Sequence, residues 1–279
     1  MSDLVLDQEL PTRTLVAKNY ATDSANRMHS DDGAAPYGFR GGLVPGIGIY
    51  AYMTIPVAEA LGAEWVKHGT FRGKFIKPVY HGETITIQSR VVDIDPVRIS
   101  VSVINAGGTL CGVGEASLPE KSPYPDISRF PFKTLSETKL PPDIALLTEG
   151  TPFGSLEFSI DPQNLEGEHG SFLDEMLDES PLYRGPDALM HPAYIPHKAN
   201  TILAENVDLG PWIHTASDVI YFEQPNPGET LFMQGRVAHS YSKRGHDIVV
   251  LDLVLLGDHE RLIAHLTHSA IVKPHKVEA

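Results

Sequence analysis

The spacing of apolar and polar positions changes along the chain, and each change predicts an element. Over residues 47–61 nearly every position is apolar, the pattern of a helix buried on all sides rather than one lying on a surface. Pro56 falls inside this run and, having no backbone N–H, predicts a kink or a break there. After Gly62 the period drops to two. Residues 84–88 and 98–103 alternate polar and apolar, 69–76 and 110–118 give two more candidate strands, and Asn105 to Gly108 predicts a hairpin turn. One buried helix followed by consecutive strands is an α+β pattern, an antiparallel sheet curled round the helix. Ahead of this unit, residues 11–20 predict a short helix, and 23–42, rich in Ser, Asp, Gly and Asn, predict loop and short turns.

The pattern then repeats. Pro119, Pro123, Pro125, Pro131, Pro141 and Pro142 mark residues 119–142 as an extended linker. Across it, Tyr37 matches Tyr183, Leu43 matches Leu189, Pro45 matches His191, Gly82 matches Gly228, Glu83 matches Glu229, Thr84 matches Thr230, Arg90 matches Arg236 and Val91 matches Val237, always 146 positions apart. A constant offset through loop, helix and strand signals an internal duplication. The expected organisation is a first repeat over 1–118, the linker over 119–142, and a second repeat over 143–279 with a helix at 192–206 and strands near 215–223, 229–238, 246–256 and 261–272.

Charge narrows the partners. The formal charge of −14 opposes a nucleic-acid partner. It is unevenly spread: residues 120–180 hold 13 acids against 4 bases. An anionic small ligand held by local Arg or Lys stays open. No apolar run reaches the ~18–20 residues needed to span a bilayer. The start lacks the basic and apolar regions of a signal peptide, and the single cysteine, Cys111, allows no intrachain disulfide. A cytoplasmic protein with no membrane partner is the expectation, with Cys111 a small buried strand residue.

The chemistry concentrates at Asn26-Arg27-Met28-His29, one short loop before the helix that opens at Pro45-Gly46. A single histidine in a polar loop is ordinarily solvated; Asn26, Asp31 and the Gly46 turn in the same stretch favour a functional reading. Gly46-Ile47-Gly48-Ile49-Tyr50-Ala51 matches a G-x-G-x-x-A dinucleotide fingerprint, but no strand precedes it and no βαβ unit follows, so a Rossmann domain is excluded. Thirteen histidines contain no H-E-x-x-H motif, and His265 and His268 point to opposite faces of a strand, so no metal site is expected.

Asn26-x-x-His29-x-Asp31, Gly38-Phe39, Gly42-Leu43-Val44-Pro45-Gly46 and then Phe75-x-x-Pro78-Val79-x-x-Gly82-Glu83-Thr84 resemble the MaoC-like hydratases and dehydratases. The resemblance covers both halves in coarse pattern, with the motif in the first half only. It implies a double hotdog fold, an internal pseudo-dimer with further pairing into a homodimer left open, and a small-molecule acyl thioester of coenzyme A or an acyl-carrier protein as substrate, with no other cofactor. In that family an Asp and a His activate the water that adds across the double bond of a trans-2-enoyl thioester, or remove it from a 3-hydroxyacyl thioester. The family's Asp stands two residues before its Asn, and a Pro follows the Asn. Here those positions are Ser24 and Arg27, and Asp23 lies one residue early. The resemblance therefore implies His29 as base, Asn26 as positioning group and Asp23 as the acid to test. A thioesterase and a non-catalytic acyl-binding protein are the alternatives.

Elementary chemistry adds the rest of the candidate site. The reaction needs a base for water, a proton for the α-carbon, and donors for the oxygen on which charge develops. N–H groups of Gly46, Ile47 and Gly48 at the helix start, following Pro45, are candidate oxyanion donors. Tyr37, Phe39, Tyr50 and Tyr52 are candidate acyl-binding aromatics, and helix-core packing explains them equally. Arg40, Arg72, Lys74 and Lys77, with Lys243 and Arg244 in the second half, are candidate contacts for coenzyme A phosphates, against solubilising surface charge. The second copy has Phe172 and Glu175 where Asn26 and His29 stand, and is expected to serve as partner surface and acyl-binding wall, with His191 a relic.

Overall fold

Residues 47–61 form the helix their apolarity predicts, and it extends further on both sides: in the computed structural model, which describes residues 4–277, α2 runs Gly46–His68. Its apolar side chains, among them Tyr50, Tyr52, Met53, Val57, Leu61 and Trp65, are buried. The backbone leaves helical angles at Gly62 (φ 66°) and not at Pro56. Positive φ costs glycine almost nothing, so the break falls where the chain bends cheaply. The other helices are α1 (Asp31–Ala34), α3 (Glu168–Met176) and α4 (Tyr194–Asn206).

The strands are β1 (Arg13–Val16), β2 (Thr70–Phe75), β3 (Thr84–Ile94), β4 (Val97–Asn105), β5 (Leu110–Leu118), β6 (Leu156–Ser159), β7 (Ile213–Tyr221), β8 (Thr230–Lys243), β9 (His246–Leu256) and β10 (Leu262–Lys273). They make one antiparallel sheet in the order β1-β3-β4-β5-β2-β7-β10-β9-β8-β6. The order reads the same outward from the β2–β7 seam, each half contributing five strands.

The duplication is visible in geometry as well as in sequence. Gly82 and Gly228 both have positive φ, 78° and 73°. The next residue caps the same turn in both halves: a Glu83 carboxylate oxygen accepts from Tyr80 N–H at 2.9 Å, and one from Glu229 accepts from Asn226 N–H at 2.7 Å. The β-bulges after Val91 and Val237 also correspond. At the seam, Arg72 lies opposite Asp218 in register and pairs with it at 3.2 Å. These two residues are themselves 146 apart, which places the pseudo-two-fold axis through their pair.

Residues 11–20 contradict the helix expected of them. Arg13–Val16 pairs with β3 as an edge strand, with Val16 opposite Thr84. The β-branched Thr14 and Val16 fit a pleated edge better than a helix surface. In the second half β6 holds the equivalent edge, with Ser159 opposite Thr230.

Both halves share one core. Tyr50 Oη on α2 lies 3.1 Å from Tyr221 Oη on β7, and Trp65 packs edge-on against Tyr221. No helix among the described residues is long and apolar enough to cross a membrane.

Candidate functional site

Asn26 opens the site because its short amide can cap a turn and still reach elsewhere. Its Oδ1 accepts from Met28 N–H at 3.2 Å, starting the 3₁₀ turn Arg27–His29. The same side chain crosses to the second half: Nδ2 donates to Trp212 O at 2.9 Å, and Oδ1 accepts from Trp212 N–H at 3.1 Å. One amide thus fixes the loop locally and ties it to a residue 186 positions away.

The partners of His29 decide its tautomer. Nδ1 lies 2.8 Å from Leu43 O, which can only accept, so Nδ1 carries the proton. Nε2 therefore presents a lone pair, 3.3 Å from Asn26 Nδ2. Burial lowers the His29 pKa from its ordinary 6.5, outweighing the upward pull of the Leu43 carbonyl. The ring is a neutral base. Its main chain is held as firmly: Asn19 Nδ2 donates to His29 O at 2.9 Å, and Gly42 packs so closely that a Cβ there would lie 2.2 Å from the same oxygen. Asp31 braces this packing by accepting from Gly42 N–H at 2.8 Å.

The start of α2 supplies donors. Gly48 N–H is taken by Pro45 O at 2.9 Å. The N–H groups of Gly46 and Ile47 meet no acceptor among the described residues, and the helix dipole adds positive potential there.

A cavity of about 360 Å³ joins these groups. Asn26, His29, Phe39, Pro45, Gly46 and Ile47 line it from the first half, and exposed Lys77 contributes the one charged side chain among the described residues. No carboxylate among the described residues lines it. Asp23 is exposed and off the wall, where Ser24 stands instead. Gly48 also lies off the wall. Tyr37 packs with Met28, Ala34 and Leu43, while Tyr50 and Tyr52 belong to the main core. Arg40 pairs with Glu83 and lies 4.2 Å above the Tyr80 ring. Arg72 and Lys74 alternate with inward-facing Phe71, Gly73 and Phe75 and so occupy the outer face of the sheet. Cys111 is buried at the cavity wall, and burial raises its thiol pKa.

The second half contributes wall residues that sequence reasoning missed: His197, Asn200 and Thr201 on α4, with Trp212 and His214. His214 Nε2 lies 2.8 Å from Ser217 Oγ, which lies 2.9 Å from His268 Nδ1. Residues three apart on a regular strand face opposite ways. A bulge at Thr215 resets that alternation: Ala270 pairs with His214 and Ser269 with Ala216. Nothing in the residue types marks such a bulge beforehand.

The equivalent place in the second half is closed. Phe172 on α3 is buried, and His191 lies wholly inside with Nε2 3.2 Å from Asp178. His191 Nδ1 accepts from Ala193 N–H, and His191 N–H donates to His169 Nε2. Both ring nitrogens of His191 and of His169 are engaged within the protein, so His191 braces the fold.

These buried rings predict acid sensitivity. Desolvation holds His169 and His197 down at about 4 and His214 at about 3. In the unfolded chain each returns to about 6.5. Below that pH the unfolded chain takes up protons that the fold refuses, so stability is intact above 6.5 and falls as pH falls toward 4. Asp178, held low by His191 despite burial, acts in the same direction further down. Melting is expected several degrees lower at pH 5 than at pH 7.5; an equal or higher melting temperature at pH 5 would contradict this burial of neutral imidazoles.

No family model matches the sequence, and no match was found among curated proteins. Solved structures do match, and they define the architecture as a double hotdog. A protein named as a MaoC domain dehydratase from Chloroflexus aurantiacus has a TM-score of 0.65 at 10% identity, over 98% of this chain and 97% of its own. A conserved protein of Mycobacterium tuberculosis, described as a double hotdog, has a TM-score of 0.62 at 16% identity, over 96% of this chain and 97% of its own. A protein named as an oleoyl thioesterase from Lactobacillus plantarum has a TM-score of 0.55 at 12% identity, over 96% and 98%.

Proposed function

We propose that the cavity binds an acyl thioester and that His29 activates water within it, hydrating a trans-2-enoyl thioester or, in reverse, dehydrating a 3-hydroxyacyl thioester. The observation that carries this reading is the neutral His29 ring, its unprotonated Nε2 facing Asn26 Nδ2 at 3.3 Å, in the same cavity as the free N–H groups of Gly46 and Ile47. Support also comes from the likeness to a protein named as a MaoC domain dehydratase.

The absence of a carboxylate from the wall, among the described residues, shapes the mechanism. His29 Nε2 takes a proton from water as its oxygen bonds to C3, and the double-bond electrons move onto the thioester oxygen. Gly46 and Ile47 N–H hold that oxyanion. The imidazolium then returns the proton to C2 as the carbonyl reforms, so H and OH add across the bond with one base serving both steps. Asn26 keeps the ring and the loop in place. Lys77 at the rim is placed to meet an anionic carrier phosphate.

Hydrolysis of the thioester is the second reading, since the same single base and polarised carbonyl would serve it and a protein named as an oleoyl thioesterase is similar in fold. Incubating the protein with trans-2-enoyl-CoA substrates of short to long chain tests the choice, with 3-hydroxyacyl product expected and no turnover at any length against it. The acid limb of kcat/KM is expected below pH 6.5, since the lowered His29 pKa keeps the base unprotonated there. A limb above 6.5 would exclude His29 as that base.

A further inference from the structure

The wall contributed by the second half carries polar groups that the protein leaves unused. His197, Asn200 and Thr201 are spaced three and four residues apart on α4, so one helix face brings all three to the cavity. Among the described residues, no hydrogen bond reaches the His197 ring or either end of the Asn200 amide. Of these atoms only Asn200 Oδ1 is sealed, as are His214 Nδ1 and His268 Nε2 elsewhere; the His197 nitrogens and Asn200 Nδ2 are not. Turning the amide over exchanges its ends and still leaves one for a ligand. Thr201 Oγ1 donates to His197 O at 3.4 Å and keeps its own lone pairs.

The duplication shows that the fold does not demand this polarity. On α2 the counterparts 146 positions earlier are Ala51, Thr54 and Ile55. Ala51 and Thr54 are fully buried, and Thr54 Oγ1 turns back to Ala51 O at 2.7 Å. α3 packs against α2, whereas the equivalent stretch of the first half forms only the turn Arg27–His29, with Ser24 and Asn26 on the cavity wall. The closed helix face is thus satisfied from within, and the open one holds an imidazole, an amide and a hydroxyl. It holds no charge: Lys198 turns away, bonded to Glu168 at 2.6 Å and lying over the Phe158 and Tyr194 rings. His197, against Phe172 at 5.3 Å and Tyr194 at 5.9 Å, is kept neutral by burial, so its ring offers one donor and one acceptor.

We infer that this face of α4 recognises an uncharged oxygen, a hydroxyl or keto group, on the acyl chain of the substrate, with His197 and Asn200 as the residues that select it. The inference rests on the acyl-thioester reading above. A plain hydrocarbon laid on this wall would strip water from the imidazole and the amide and return no hydrogen bond, which is costly. A carboxylate or phosphate would find no cation there. The carrier's phosphates have Lys77, past the end of β2 on the sheet side of the cavity, which leaves the acyl chain to meet the helix side.

The test compares kcat/KM of the full-length protein on trans-2-octenoyl-CoA and on analogues carrying one hydroxyl or keto oxygen at each chain carbon beyond the double bond. At the matching position the oxygenated chain is expected to be preferred by about tenfold or more. His197→Phe, which keeps a ring against Phe172 and Tyr194, and Asn200→Leu are each expected to cut that preference by about fivefold or more, partly by raising kcat/KM on the plain chain. No preference at any position overturns the inference and leaves the thioester reading standing, since the plain chain is still turned over. Equal losses on plain and oxygenated chains also overturn it and give the α4 face to the amides of the carrier arm. So does a preference that survives both substitutions. Should neither variant fold, ¹⁵N shifts of His197 in the His29→Ala protein decide: the preferred oxygenated chain is expected to move them more than the plain one, and an equal response overturns the inference. Failure of every chain to bind or turn over would instead overturn the acyl-thioester reading, and this inference with it.

Discussion

His29→Ala is expected to reduce turnover by about 10²–10⁴-fold, the range general acid–base groups supply, and here toward the upper end because one ring serves both proton transfers. Among the described residues no carboxylate lines the cavity; the other imidazoles on its wall, His197 and His214, come from the second half, and His214 is held in contact with Ser217. Stability should change by only about 1 kcal/mol, the worth of the lost hydrogen bond to Leu43 O. Water in the enlarged cavity can take over that carbonyl. KM should move little, since the thioester oxygen is gripped by α2. Steady-state kinetics beside a thermal melt checks both parts. A variant within tenfold of the parent would remove His29 from the mechanism.

Gly42→Ala is expected to damage fold and activity together. The new Cβ would lie 2.2 Å from His29 O and 2.6 Å from His29 C. Both are backbone atoms, so no rotamer change relieves the clash. The loop must move, straining the 2.9 Å bond from Asn19 and the 2.8 Å bond to Asp31. The cost is about 2–4 kcal/mol, which at roughly 2–4 °C per kcal/mol for a chain of this size is a clear drop in melting temperature. Turnover should fall as His29 leaves its place. Gly48→Ala is the contrast. Its Cβ would meet nothing nearer than 3.5 Å, and Gly48 N–H is already spent on Pro45 O. Alanine there should stabilise the helix by about 0.5–1 kcal/mol and leave turnover intact. Equal effects at Gly42 and Gly48 would refute this account of the loop.

How far the sequence carries depends on the physical range of each signal. Burial on all sides shows directly in residues 47–61, and alternation shows in 84–88 and 98–103, so α2 and the first-half strands are legible. The duplication is legible because turn residues such as Gly82 and Gly228 have few substitutes at positive φ. Arg13–Val16 is not legible because a four-residue edge strand offers too few alternations to separate from a helix turn. Half of the site is legible for the same local reason: Asn26, His29 and Gly46 lie within one loop and the helix it feeds. The other half is not. Asn26 meets Trp212 across 186 positions, and His214 shares a face with Ser217 only through the bulge at Thr215. Ser24, not Asp23, reaches the cavity, a difference set by the turn and not by residue type.

A single progress curve tests the central claim that His29 directs water onto the double bond. The protein is mixed with a trans-2-enoyl-CoA while the conjugated thioester absorbance and free thiol are followed together. Loss of the absorbance with no thiol released, abolished in His29→Ala, is the result predicted here. Release of thiol at the rate the absorbance falls, or from a saturated acyl-CoA, would contradict it and make the protein a thioesterase.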